Sequence, residues 1–384
     1  MVCAAAASCG SRTGLFGPEP DDIADASVDA RDDVRVDAVI DQGPDVRPDA
    51  PIDAPIDAPI DGPLVCVPGT FTFTLASPQL MFVIDRSGSM AYSLTTNSAP
   101  PPGQPTRWTA LRDALQQSIV PFSSSLAMGA RFYPVANANA SDPVSACSQD
   151  PGVGIAPALN NAQSIINVFN AAPPVGGTPT AVALQLAVSQ ISQSRAIARA
   201  MVLATDGAPN CNALLNGQTC TCTSATPLGC TSGASGGTNC LDDTRTVNTI
   251  ADTFSNKKIP VYVVGIGVTQ GFSGTLDQMA IAGGRARNGT PKYYQADTPA
   301  DLVTAFTVVR DSVAKCTYIT PSAPNDPDQI SVTIGGKQII RDETHTEGWD
   351  WIDQAYGQLQ LFGTACDDAT AINVSGTIGC KGDE

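Results

Sequence analysis

Three short segments hold the residues whose types and spacing could do chemistry together: Asp85-Arg86-Ser87-Gly88-Ser89, Gly177-Thr178-Pro179-Thr180 and Thr205-Asp206-Gly207. They offer two carboxylates, Asp85 and Asp206, and three hydroxyls, Ser87, Ser89 and Thr178. All five are hard oxygen donors. Such a set suits Mg²⁺ or Mn²⁺, with Ca²⁺ as a further option, and suits zinc poorly, because zinc is held mainly by thiolate and imidazole. Two carboxylates and three neutral hydroxyls leave a bound divalent ion strongly electrophilic, open to an acidic oxygen from outside.

Elements read from the pattern would bring these segments together. Gln79-Leu80-Met81-Phe82-Val83-Ile84 is a continuous apolar run ending at Asp85, and Ala200-Met201-Val202-Leu203-Ala204 ends just before Asp206. Runs of this kind read as strands buried on both faces. Gly129–Val135, a stretch near Val153-Gly154-Ile155, Val261–Ile266 and Lys292-Tyr293-Tyr294 read as further strands. Helices are expected over Arg107–Ile119, with Trp108, Leu111, Leu115 and Ile119 on one face, and over Ala162–Phe169, Ala181–Ile191, Asp243–Phe254 and Leu276–Ala282. Thr298-Pro299-Ala300-Asp301 opens a last helix, with Thr as N-cap, Pro at N1 and Asp bonding back. Strands alternating with helices predict an α/β fold, a doubly wound, mainly parallel sheet with helices on both faces. In such a sheet ligands bind beyond the carboxyl ends of the strands, at the switch in topology, so Asp85 and Asp206 are expected on one rim. Gly88 is expected to give the Ser87/Ser89 turn its backbone freedom, and the two glycines before Thr178 to let that loop approach.

The order Asp-x-Ser-x-Ser, then Thr, then Asp, each at a strand end or loop, resembles the von Willebrand factor type A domain and its metal-ion-dependent adhesion site. The resemblance covers about 250 residues in its order of elements. It implies that the two Ser, with Thr178 or Asp206, contact the metal directly or through water. It also implies a protein that binds and does not catalyse, with a protein or extracellular-matrix ligand presenting Asp or Glu as its partner.

Other chemistries find less support. Gly233-Ala234-Ser235-Gly236-Gly237 matches a nucleophile-elbow spelling, but it lies in a Gly/Thr/Cys loop without the strand and helix an elbow needs. Gly265-Ile266-Gly267 lacks the third glycine of a dinucleotide site. The single histidine, His345, leaves a hydrolase triad little to draw on. Metal-assisted hydrolysis at the Asp/Ser/Thr site stays open as an alternative, although it lacks an evident general base. A purely structural surface protein is the third class.

The chain has 384 residues and a net charge of −16. Residues 1–63 carry 13 Asp, 1 Glu and 4 Arg, a net of −10, which leaves −6 for the rest. Clustered Lys/Arg is absent, so nucleic acid is not an expected partner. No apolar run approaches the length of a membrane-spanning helix. The unit Asp49-Ala50-Pro51-Ile52 repeats to Asp61, and residues 10–64 read as a disordered Asp/Pro-rich tether. Its reach is ~170 Å fully extended and ~40 Å as a flexible coil.

Residues 1–9 end in small residues leading to Cys9 and resemble a truncated bacterial lipoprotein signal, although Ala6 stands where Leu is usual. The resemblance implies lipidation of Cys9. Gly10 in place of Asp favours the outer membrane or cell surface, with periplasmic or secreted placement as the alternative. Membrane contact would then run through the lipid anchor alone.

Ten further cysteines, Cys66, Cys147, Cys211, Cys220, Cys222, Cys230, Cys240, Cys316, Cys366 and Cys380, lie mostly in Gly/Ser/Thr/Pro-rich loops. In an exported chain they read as disulfides, with zinc at Cys220-Thr221-Cys222 as the competing reading. The ends of a doubly wound domain lie close together, so Cys66 is expected to pair with Cys316. Cys366 is expected to pair with Cys380 across a hairpin, and the insert cysteines with one another and with Cys147. Domain bounds follow: 65–316 for the α/β domain with a cysteine-rich insert over 210–240, and 317–384 for a small all-β module. Within that module Gly335-Gly336 marks a hairpin. Trp349 and Trp351 share one strand face, as core packing or as a sugar-stacking platform.

Overall fold

The computed structural model describes residues 62–380, apart from residues 153, 194, 196, 225–227, 232, 268–270, 370 and 371. The expectations for Cys9 and for the tether up to residue 61 lie outside the described residues. Two short strands come first, β1 (Gly69–Thr72) and β2 (Thr74–Leu75). A six-stranded sheet follows, made of β3 (Gln79–Asp85), β4 (Ala127–Tyr133), β5 (Ile155–Ala158), β6 (Arg199–Thr205), β7 (Val261–Ile266) and β8 (Tyr294–Ala296). Its spatial order is β5-β4-β3-β6-β7-β8, and every neighbouring pair is parallel except β4 with β5. Counted within the sheet this is the doubly wound order 3-2-1-4-5-6, with its switch point between β3 and β6.

The apolar runs follow from burial on both faces. Leu80, Phe82 and Ile84 of β3 join one core with the helices Arg107–Ser118, Ala162–Ala171 and Pro299–Lys315. Met81 and Val83 join the opposite core with the helices Thr180–Gln190, Asp243–Ser255 and Ser273–Ala282. Trp108, Leu111, Leu115 and Ile119 are all buried, as their spacing predicts. Thr298 and Asp301 form the expected capping box.

The all-β part comprises β9 (Thr317–Ile319), β10 (Ile330–Ile334), β11 (Lys337–Ile339), β12 (Gly348–Asp353), β13 (Gln358–Phe362) and β14 (Val374–Ile378). Gly335 and Gly336 both take positive φ between β10 and β11, the backbone a two-residue hairpin demands. One expectation is corrected here. Residues 69–75 belong to this part and not to the α/β domain, because β1 pairs with β14 and β2 with β9. The four-stranded sheets β1-β14-β10-β11 and β12-β13-β9-β2 are complete only with these strands.

The disulfide pairing is corrected for the same reason. All ten cysteines are bonded, but Cys66 pairs with Cys380 and Cys316 with Cys366. The β1–β14 ladder carries Cys66 toward the end of the chain. Residues Thr364–Ala369, expected to start a hairpin, form a helix that turns Cys366 back to Cys316. The insert pairs as Cys147–Cys211, Cys220–Cys240 and Cys222–Cys230. The cluster of Cys220, Cys230 and Cys240 is thereby consumed, which removes the thiolates a zinc site needs.

Trp349 is 2% exposed, and its indole N–H donates to Ile339 O at 3.2 Å. Trp351 packs edge-on against it and donates to Pro327 O. Trp349 is a core residue and Trp351 a partly buried ring packed against that core, which favours core packing over a sugar platform.

Candidate metal centre

Asp85 ends β3 with no exposed surface. One carboxylate oxygen accepts the Ser87 backbone N–H at 2.7 Å, and the other accepts the Thr205 hydroxyl at 2.6 Å. Ser87 Oγ and Ser89 Oγ lie 3.0 Å apart, and Ser89 donates to Asp206 Oδ1 at 2.9 Å. The structure therefore joins Asp85, Ser87, Ser89 and Asp206 at the switch point through one continuous run of polar contacts.

Thr178 faces the same cleft, a space of ≈ 800 Å³ also lined by Ser87, Ser89 and Asp206. Asn210, from the cysteine-rich insert, holds its backbone on both sides. Thr178 N–H donates to Asn210 Oδ1 at 2.8 Å, and Asn210 N–H donates to Thr178 O at 2.9 Å. A Cβ on Gly177 would stand 2.7 Å from Cys211 Sγ, and one on Gly176, which has φ +86°, would stand 2.6 Å from Ala146 O. Glycine is required at both positions by close approach. At Gly88 the expected reason does not apply. Its φ is not positive, and a Cβ would meet only Gly176 O at 3.6 Å, an ordinary contact.

Arg107 is the member of the site that reading the sequence missed. Its Nη1 donates to Asp206 Oδ2 at 2.7 Å, and both side chains are almost wholly buried. A signal was present. Arg107 is the first residue of its helix, where a cation opposes the helix dipole, so it needs a compensating anion nearby. Thr205, read only as part of a turn, and Asn210 complete the support.

The electrostatics follow from this count. Burial, and then the charge of Asp206, raise the Asp85 carboxyl from 3.8 to about 7, against the lowering effect of its bonds from Thr205 and Ser87. Burial also raises Asp206, and Arg107 opposes that rise. Two buried carboxylates share one buried cation, so the cluster is one positive charge short. Hard oxygens with an uncompensated negative charge fit a divalent cation, and the donor set is the one Mg²⁺ or Mn²⁺ takes.

No protein-family model and no curated protein matches the chain. Among solved structures, it is similar to the PilB minor pilin from Streptococcus sanguinis, at 18% identity over 62% of this chain and 62% of that one, with a TM-score of 0.41. It is similar to the pilus adhesin SpaC from Lactobacillus rhamnosus GG at 16% identity, over 81% of this chain and 41% of that one, with a TM-score of 0.43. It is also similar to the vWF domain of the type V pili tip protein Mfa5 from Porphyromonas gingivalis, at 13% identity over 62% and 94%, with a TM-score of 0.40. The chain thus spans less than two thirds of the pilin and of the adhesin. The sheet is doubly wound and mainly parallel, with oxygen donors at its strand ends, as the resemblance to the von Willebrand factor A domain implies.

Proposed function

We propose that the protein is a surface-anchored, divalent-metal-dependent binding protein and not an enzyme. Asp85, Ser87, Ser89, Thr178 and Asp206 would hold Mg²⁺ or Mn²⁺. The ion would supply a Lewis-acidic position for a carboxylate oxygen of a partner's Asp or Glu. The observation that carries this reading is that Asp206, Ser87, Ser89 and Thr178 line one cleft with the buried Asp85 bonded behind them, and that Arg107 is the one cation, among the described residues, paired with these carboxylates. The chain's own residues do the positioning. Thr205 and the Ser87 amide orient Asp85, Ser89 and Arg107 orient Asp206, and Asn210 sets the Thr178 loop.

Among the described residues lining the cleft there is no His or Glu, and Asp206 is the one carboxylate. This favours binding over metal-assisted hydrolysis, which would need a base besides the metal's own ligands. Five disulfides favour an oxidising compartment, and no helix among the described residues is long and apolar enough to cross a membrane. Anchoring through a lipidated Cys9 at the bacterial outer membrane, with residues 10–64 as tether, completes the reading.

Capture of cell-surface or matrix proteins on the immobilised protein, in Mg²⁺ and in EDTA, tests it. Binding should fail in chelator and in Asp206→Ala and Thr178→Ala while circular dichroism stays unchanged. A partner retained through chelator and both substitutions would make the site structural.

A further inference from the structure

Arg107 is 1% exposed, and each of its three guanidinium nitrogens donates a hydrogen bond. Besides Asp206, its Nε donates to Ser93 O at 3.0 Å, and Nη2 donates to Thr96 O at 3.2 Å and to Asn97 Oδ1 at 2.7 Å. A Cβ on Gly267, just past β7, would stand 2.9 Å from Arg107 Nε, so the other flank is closed by backbone. The guanidinium is therefore a fixed charge and not a mobile counter-ion. It also ties Asp206 to the Tyr92–Asn97 turn, whose ends line the same cleft.

Charge counting gives this placement a consequence. Asp85 and Asp206 alone would neutralise a divalent ion, and a loaded site would have no net attraction for an anion. With Arg107 fixed on Asp206 Oδ2, the protein contributes one net negative charge and the loaded site keeps one positive. We propose that Arg107 is the charge-setting residue of this centre: it weakens the protein's own hold on the metal and in return makes the loaded site require a single anionic oxygen from the partner. This rests on the metal-binding reading above. The physical scale is known from protons. An opposite charge within ~4–6 Å shifts a carboxyl's proton affinity by about 1–3 log units, and a divalent cation should respond at least as strongly to a like charge at similar range.

The test is Mn²⁺ titration of the whole protein, with free Mn²⁺ read by electron paramagnetic resonance, with and without acetate as the anion probe. Arg107→Gln removes the charge and leaves an amide near the position of Nε, beside Ser93 O, and it should bind Mn²⁺ about tenfold or more tightly. Arg107→Lys keeps the charge but cannot reproduce the fork of contacts, and it should stay within about threefold of the unaltered protein. Acetate should tighten Mn²⁺ binding to the unaltered protein, by linkage between the two ligands, and should do so much less in Arg107→Gln. A purely structural arginine predicts otherwise, with both variants less stable and neither tighter.

Equal or weaker Mn²⁺ binding by folded Arg107→Gln overturns the proposal while leaving the metal site standing. Should that variant not fold, acetate with the unaltered protein decides, and no tightening there overturns the proposal. An unaltered protein that binds no Mn²⁺ overturns both this inference and the reading it rests on.

Discussion

Asp85→Asn should stabilise the metal-free protein while abolishing its metal binding. The Asp85 carboxyl rises from 3.8 to about 7, through burial first and the charge of Asp206 second. A raised folded value means that the folded state holds the proton more tightly than the unfolded chain. The associated stability is fully present below pH 3.8 and is lost as pH rises to about 7. At 1.36 kcal/mol per unit, the rise corresponds to a penalty of about 4 kcal/mol at pH 8.

Asparagine removes the charge at nearly constant shape. Its amide oxygen can still accept the Ser87 N–H, whereas its NH₂ would face Thr205 Oγ1, now a donor at 2.6 Å. That hydroxyl must turn, and Gly207 O at 3.3 Å is an alternative acceptor. The bonds to the charged form are already counted in the value of about 7, so the substitution loses only a neutral hydrogen bond, about 0.5–1.5 kcal/mol, and the net gain at pH 8 is about 3 kcal/mol. The difference between the variant and the unaltered protein should shrink by about 2–3 kcal/mol between pH 8 and pH 5. Urea unfolding in EDTA at the two pH values measures it, and Mg²⁺ should stabilise the unaltered protein alone. A variant less stable than the unaltered protein at pH 8, or a difference independent of pH, would refute the electrostatic account of the site.

Two further outcomes follow from the disulfides. Replacing Cys147 and Cys211 together by Ser opens a link with a sequence separation of 64, which should cost about 4 kcal/mol in stability; Mn²⁺ affinity should fall as well, because Cys211 packs against Gly177 beside Thr178, and unchanged affinity would show that the clasp does not hold the loop. Peptide mapping without reduction should recover Cys66 joined to Cys380 and Cys316 joined to Cys366, and recovery of Cys66 with Cys316 would overturn the sheet pairing described above.

The sequence by itself determined the elements whose signals are local. The apolar runs of β3 and β6, the helix face of Trp108 and Leu115, the Thr298 cap and the Gly335-Gly336 turn are each written within a dozen residues, and each is present in the structure. Most of the oxygen donors were legible too, because Asp85 and Asp206 stand at or just past the ends of such runs, with Ser87 and Ser89 in the turn after the first, and the doubly wound topology brings strand ends to one rim; Thr178 comes in on a separate loop. Tertiary structure decided what depends on partners far away in the chain. Strands β1 and β2 are too short and too exposed to announce a partner, and only the ladder from Gly69 to Ile378, with the pairing of β2 to β9, assigns them to the all-β part. That ladder also fixes Cys66 beside Cys380, across 314 residues that spacing cannot span. Arg107 reached Asp206 in the same way, over 99 residues. Periodicity reports which face of an element is buried. It carries no record of which distant charge meets it there, since that is set by the register of whole layers.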